Sequence, residues 1–245
     1  MNVAQLVVAC LENEGVRHVF ALPGEETLAL GLALEDSAKI QQVVVRHEQG
    51  AAFMADVAGR LTSYPGVCLA TLGPGATNLL TGVADATLDG APLVAITGQA
   101  GLERIHKRSH QYVDVLGMFA PVVKWGARIE LPDGAPEVIR TAFRMARLER
   151  PGATHVELPE DVAEQESVGA PIVVRRTRYA AAREDAVRAA ADAIDGATRP
   201  VLLVGNGVIR REAAGHGAVG ALRAFVARTR IPATHTFMAK GALDD

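Results

Sequence analysis

Cysteine is scarce: Cys10 and Cys68 are the only two in 245 residues, and neither stands in a metal-ligand or redox spacing. A disulfide scaffold is therefore not expected, and both thiols read as buried small hydrophobes in a reducing compartment. Long apolar runs are missing too. Nowhere do eighteen apolar residues follow one another, and the N-terminus has neither a basic flank nor a small-residue cleavage pattern. The expectation is a cytoplasmic protein without a membrane partner. Charge of one sign is also lacking: the net charge is −3 with Lys and Arg spread along the chain, so no basic stripe presents itself to nucleic-acid phosphates. A serine-nucleophile elbow of the Gly-x-Ser-x-Gly type is absent, as is the Lys-Ser/Thr ending of a P-loop. No internal repeat or low-complexity tract occurs.

What is present is 49% hydrophobic content in a chain somewhat long for one compact domain, enough for one full domain and part of another. Short apolar runs alternate with longer helical patterns, the order that builds an α/β fold: a mostly parallel sheet with helices on both faces. Strands are predicted at Val16 to Leu22, Ile40 to Arg46, Val67 to Leu72, Pro92 to Thr97 and His155 to Leu158. The intervening helices run from about Val3 to Asn13, from Glu25, from Glu48 to Tyr64, from the Gly73-Pro74-Gly75 turn through Leu88, and from Ala135 to Glu149. The acids Glu25 and Glu26 suit the positive end of a helix dipole. A polar, basic loop covers Gln99 to His110, and a loop of that length inside a compact domain is usually functional. Residues 1–162 form the expected first domain, 163–183 a strand-containing linker, and 184–245 the beginning of a second α/β domain, with a helix from Glu184 to Ile194, a strand from Val201 to Val204 and a helix from Arg211 to Arg228.

Glu48 follows an apolar strand at its carboxyl end, the edge of an open α/β sheet where ligands bind. Gly50, Ala51 and Ala52 beside it leave room for a flat ring, with which a carboxylate can exchange a proton. An acid solvated at a helix N-terminus is the alternative, and position alone leaves both open. The turn Gly73-Pro74-Gly75 aims backbone amides above a helix N-terminus, or simply permits close packing. Gly205-Asn206-Gly207 suits a nucleotide but also joins strand to helix in ligand-free domains. His106 and His110, four apart, could present two nitrogens to a metal on a helix, yet Arg104, Lys107 and Arg108 crowd them, which favours a solvated or anion-facing loop.

Three blocks taken jointly, Arg46 to Ala55, Gly66 to Leu79 and Pro92 to Gln99, resemble in order and spacing the pyrimidine-binding domain of acetolactate synthase-like thiamine diphosphate enzymes. The resemblance spans Val3 to Pro159 and continues more faintly into the central domain. It implies that Glu48 bonds the N1′ nitrogen of the cofactor's aminopyrimidine, that Gly73, Pro74, Gly75 and Asn78 shape the cofactor-facing turn, that Pro23 and Gly24 form a turn at the active site, and that Gln111 reaches the substrate side. It further implies a small 2-keto acid substrate, pyruvate converted to acetolactate and carbon dioxide, and assembly as a homodimer or tetramer. Ser109-His110-Gln111, Asp114 and the Phe119 to Trp125 stretch are closer to the catabolic members, which need no flavin (FAD). Glu25-Glu26 depart from the small residues many synthases carry there.

The Gly-Asp-Gly segment and paired asparagines through which such enzymes hold magnesium and diphosphate are missing, the only asparagines being Asn2, Asn13, Asn78 and Asn206. The chain is therefore expected to be truncated or one of two separately encoded subunits, to contribute no metal ligand, to bind thiamine diphosphate by its pyrimidine end only, and to be inactive alone. Other readings are a different thiamine diphosphate decarboxylase or lyase, a noncatalytic binding or oligomerisation module, and a nucleotide-binding protein.

Overall fold

A computed structural model of the chain describes residues 1–107, 109–175, 181–213 and 215–243. Arg108 of the basic loop, 176–180 of the predicted linker and position 214 of the predicted helix lie outside the described residues. The chain divides into two compact units, Met1–Val174 and Arg175–Asp245.

In the first unit the elements are α1 (Val3–Asn13), β1 (His18–Ala21), α2 (Leu28–Glu35), β2 (Gln41–Val44), α3 (Glu48–Thr62), β3 (Gly66–Ala70), α4 (Pro74–Asp89), β4 (Leu93–Gln99), α5 (Val115–Phe119), β5 (Trp125–Arg128), α6 (Ala135–Arg147), β6 (Ala153–Pro159) and α7 (Glu160–Ala163). All strands pair in parallel, in the order β2-β1-β3-β4-β6-β5. Alternation along the strands divides the core in two. Val19, Ala21, Val67, Leu69, Val94, Ile96, Val156 and Leu158 face α1, α2 and α6. Cys68, Ala70, Leu93, Ala95 and Ala153 face the opposite way, against α3, α4 and α5. The sheet is thus covered on both sides, and β3, β4 and β6 are buried along their whole length. Burial pushes both thiols, Cys10 and Cys68, up to about 12, so they remain protonated hydrophobes.

From β1 the chain steps one way to β2, then returns past β1 to build β3, β4 and the rest on the other side. The order reverses between β1 and β3, and the crevice at the carboxyl ends of these two strands is where an open α/β sheet binds ligands.

Three sequence expectations need correction. The edge strand β5 was not foreseen: it contains Gly126 and Arg128, is only partly buried, and so lacks the apolar run that marks an interior strand. The linker has no strand among its described residues; it follows the short α7, and Glu166 forms an isolated bridge with Asn2 while Asn13 Nδ2 donates to the Ile172 carbonyl at 2.8 Å. In the second unit, the single helix predicted from Arg211 to Arg228 is two. They are α9 (Asn206–Ala213) and α10 (Ala218–Thr229), separated where Gly215 and Gly217 adopt φ of +78° and +62°. That unit also contains α8 (Glu184–Asp195) and the parallel pair β7 (Leu202–Val204) and β8 (Ala233–His235), around a small core of Val204, Ala239 and Ala242. No described helix is long and apolar enough to cross a membrane.

Candidate cofactor site

At the switch point, Gly24 arrives from β1, His47-Glu48 from β2, and Thr71 to Gly75 from β3. Each connection is short, because each strand passes almost directly into a helix whose N-terminus returns over the same edge. His47 caps α3, its Nδ1 accepting from the Gln49 amide at 3.1 Å, and leaves Glu48 as the first helical residue. Glu48 is only 8% exposed. The alternative of a solvated helix-terminal acid is thereby set aside: Asn78 Nδ2, on the neighbouring α4, donates to Glu48 Oε2 at 3.0 Å. The other oxygen, Oε1, accepts no hydrogen bond from a described residue and faces Gly75, where an added Cβ would lie 3.4 Å away.

The glycine turn has to be glycine. Gly73 sits at φ +54° as the cap of α4, and a Cβ there would come within 2.3 Å of the Gln111 carbonyl oxygen. Pro74 takes the first helical position, where its missing N–H costs nothing. At Gly75 a side chain would meet Thr71 Cγ2 at 2.8 Å and fill the space beside Glu48. Gln111, with φ +59° and an exposed side chain, joins the site through its backbone lying over Gly73.

Helices α3 and α4 are held side by side by two devices. A Cβ on Gly82 would be 2.6 Å from Ala52 Cβ, so the backbones approach closely. Lower down, Arg60 on α3 contacts Asp56 at 2.7 Å, Asp85 at 2.8 Å and Asp89 at 2.7 Å, the last two on α4. Together they hold side by side the two helices that carry Glu48 and Asn78, the Arg60 cluster doing so at their C-terminal ends.

Beneath the loop bearing Gln111, Gln99 Nε2 donates to Val113 O and to Glu157 Oε2, both at 3.1 Å, while Arg128 pairs with the other Glu157 oxygen. Burial raises the Glu157 carboxyl above its ordinary range, with Arg128 opposing. Nearby His155, fully buried and stacked on Phe119 at 4.1 Å, meets Thr97 Oγ1 at 2.8 Å. Burial lowers it to about 3, so it stays neutral.

The structure thus gathers Pro23, Gly24, Glu48, Gly73, Pro74, Gly75, Asn78 and Gln111 along one edge. Two neighbours were not singled out in sequence as site residues: Thr71 and Glu26, whose Oε2 accepts from Thr71 Oγ1 at 2.7 Å. They are 45 positions apart, and no local pattern joins them. His106 belongs to the short 3₁₀ turn Ile105–Lys107 and His110 lies beyond it, so the helical presentation of two nitrogens is not realised. Among the described residues no cluster of three or more His, Cys, Asp or Glu is arranged to hold a metal. In the second unit Asn206 and Gly207 open α9, and an added Cβ on Gly205 would have nothing within 4 Å.

Residues 1–118 match the model of the thiamine pyrophosphate enzyme N-terminal TPP binding domain, and residues 187–245 match that of the central domain. The chain belongs to the thiamine pyrophosphate enzymes. It is 38% identical over 242 residues to the acetolactate synthase isozyme 1 large subunit of Escherichia coli (strain K12), covering 98% of this chain and 42% of that one. It is 39% identical over 241 residues to the acetolactate synthase of Bacillus subtilis (strain 168), covering 98% and 41%. A probable acetolactate synthase large subunit of Methanocaldococcus jannaschii is 37% identical over 252 residues, covering 100% and 42%. The chain therefore spans about two fifths of the length of these relatives.

Proposed function

We propose that the chain supplies the pyrimidine half of the active site of a 2-keto acid decarboxylating carboligase whose donor is pyruvate and whose product is acetolactate. One observation carries the reading: a buried carboxylate with one oxygen fixed by Asn78 and the other open toward a wall made of glycine. A ring nitrogen seated on Gly75 meets an acceptor there, and no Cβ on that glycine stands between them. Relatives over nearly the whole chain carry the name acetolactate synthase, which supports the same assignment.

When bound, thiamine diphosphate supplies the thiazolium carbon that adds to the keto group and takes up electrons as carbon dioxide leaves. The chain's own residues do the rest. Glu48 Oε1 holds or releases a proton at the pyrimidine nitrogen, a general acid–base role. Asn78 keeps the carboxylate from rotating away, and Gly73, Pro74 and Gly75 shape the ring seat. Pro23 and Gly24 border the crevice, and the loop at Gln111 closes it toward the substrate. Magnesium and the diphosphate are assigned to the other half of the site. We assign self-association in a dimer or tetramer with α3 and the glycine turn near the interface, a cytoplasmic location, and no activity for the 245-residue chain alone.

The test is product analysis in a protein of the relatives' length carrying this chain, supplied with pyruvate, magnesium and thiamine diphosphate. Carbon dioxide and acetolactate in equal amounts support the assignment. Release of acetaldehyde without carbon–carbon bond formation points to a simple decarboxylase, and turnover of pyruvate by the 245-residue chain alone refutes the half-site reading.

A further inference from the structure

Thr71 is the residue on which the two glycine turns converge. Its Cβ lies 2.4 Å from where a Cβ on Gly24 would stand, and its Cγ2 lies 2.8 Å from the corresponding point on Gly75. Both glycine turns therefore pack against the same side chain, with no room for a Cβ on either. A threonine has other staggered orientations, and its hydroxyl readily takes one that offers a backbone acceptor. Here the hydroxyl donates at 2.7 Å to Glu26 Oε2. Glu26 comes from the 3₁₀ turn Glu25–Thr27 directly after Gly24, so the acceptor belongs to the segment the threonine packs against. Its backbone is seated in turn: the carbonyl of Glu26 would be 3.2 Å from a Cβ on Gly98, so Glu26 rests on the end of β4.

We propose that Glu26 and Thr71 are positioning residues for the cofactor site. The carboxylate holds the Thr71 hydroxyl, the Thr71 methyl packs against Gly75, and Gly75 faces Glu48 Oε1, so Glu26 acts on the ring seat through Thr71. The inference rests on the thiamine-dependent reading of the site for its consequence, but its mechanical part can be measured without cofactor.

The mechanical arm uses amide hydrogen exchange in the 245-residue chain at Gly75 and Thr77, whose amides donate to Leu72 O and Gly73 O at 3.1 and 2.9 Å. Thr71→Val keeps the shape and removes the hydroxyl; Glu26→Ala removes the acceptor; Glu26→Gln keeps an acceptor oxygen without the charge. Exchange at both amides is expected to rise about tenfold in Thr71→Val and in Glu26→Ala, the effect of losing one hydrogen bond, and to stay within about threefold of the parent in Glu26→Gln. Unchanged exchange in Thr71→Val, or a Glu26→Gln variant as loose as Glu26→Ala, overturns the proposal. The functional arm measures kcat and KM for pyruvate in a protein of the relatives' length. A fall in kcat at constant KM, restored in Glu26→Gln, supports the role, and unaltered kcat in Thr71→Val overturns it. If that protein shows no turnover before any substitution, the functional reading fails while the exchange result still decides whether Glu26 positions the turn.

Discussion

Replacing Arg60 with leucine removes the guanidinium that joins α3 to α4 and leaves three carboxylates facing one another. Their environments differ: the Asp56 side chain is 2% exposed, against 41% for Asp85 and 32% for Asp89, and Arg60 itself is 27% exposed. The outer two pairs are close to surface salt bridges, each worth well under about 1 kcal/mol. Asp56 decides the magnitude. Stranding a buried carboxylate without its partner costs about 3–5 kcal/mol, and because Arg60 reaches water the lower end applies, about 3 kcal/mol. For a unit of this size that corresponds to a fall of about 6–12 °C in Tm. The pH dependence has a definite sign. Burial already holds the Asp56 carboxyl above the ordinary range despite Arg60, so the folded state takes up its proton more readily than the unfolded state. The penalty in Arg60→Leu is therefore largest near pH 8 and shrinks toward pH 5 as Asp56 protonates, and adding Asp56→Asn recovers part of it at pH 8. Urea unfolding followed by the fluorescence of Trp125, the single tryptophan, reads the first unit directly. A loss below about 1 kcal/mol, or one equal at both pH values, refutes the idea that this cluster fixes the two helices.

Two further expectations follow from the same packing. Gly82→Ala places a methyl 2.6 Å from Ala52 Cβ and 3.0 Å from the backbone at Ala52 and Phe53, so α4 must move off α3; a loss of about 1–3 kcal/mol is expected in thermal unfolding, with weaker thiamine diphosphate binding as the Asn78 contact to Glu48 lengthens. His155, held at about 3 by burial against 6.5 when free, contributes stability that is complete above pH 6.5 and declines as pH falls toward 3. The slope is up to about 1.4 kcal/mol per pH unit, and comparing His155→Gln with the parent between pH 7 and pH 5 should show it missing from the variant.

Much of the first unit was legible because buried parallel strands announce themselves. Val67 to Leu72 and Pro92 to Thr97 are mostly apolar runs, each followed by glycine, and they became β3 and β4 with shifts of one or two residues. Glu48 was legible by address, at the end of β2, but whether it was buried depended on Asn78 reaching across from another helix, which no periodicity encodes. The contacts of Thr71, Glu26 and Arg60 were hidden for the same reason: each is made between elements whose proximity exists only once the sheet has ordered them. The edge strand β5 was missed because an exposed edge has no apolar run to read, and the break between α9 and α10 because Gly215 and Gly217 flank a single residue inside an otherwise helical pattern.

The role assigned to Glu48 is tested most directly by the rate at which the C2 proton of bound thiamine diphosphate exchanges with deuterated solvent, in a protein of the relatives' length, before and after Glu48→Gln. A proton-exchanging carboxylate predicts a fall of about 100-fold or more with the cofactor still bound. Exchange at the parental rate in the glutamine variant would contradict it.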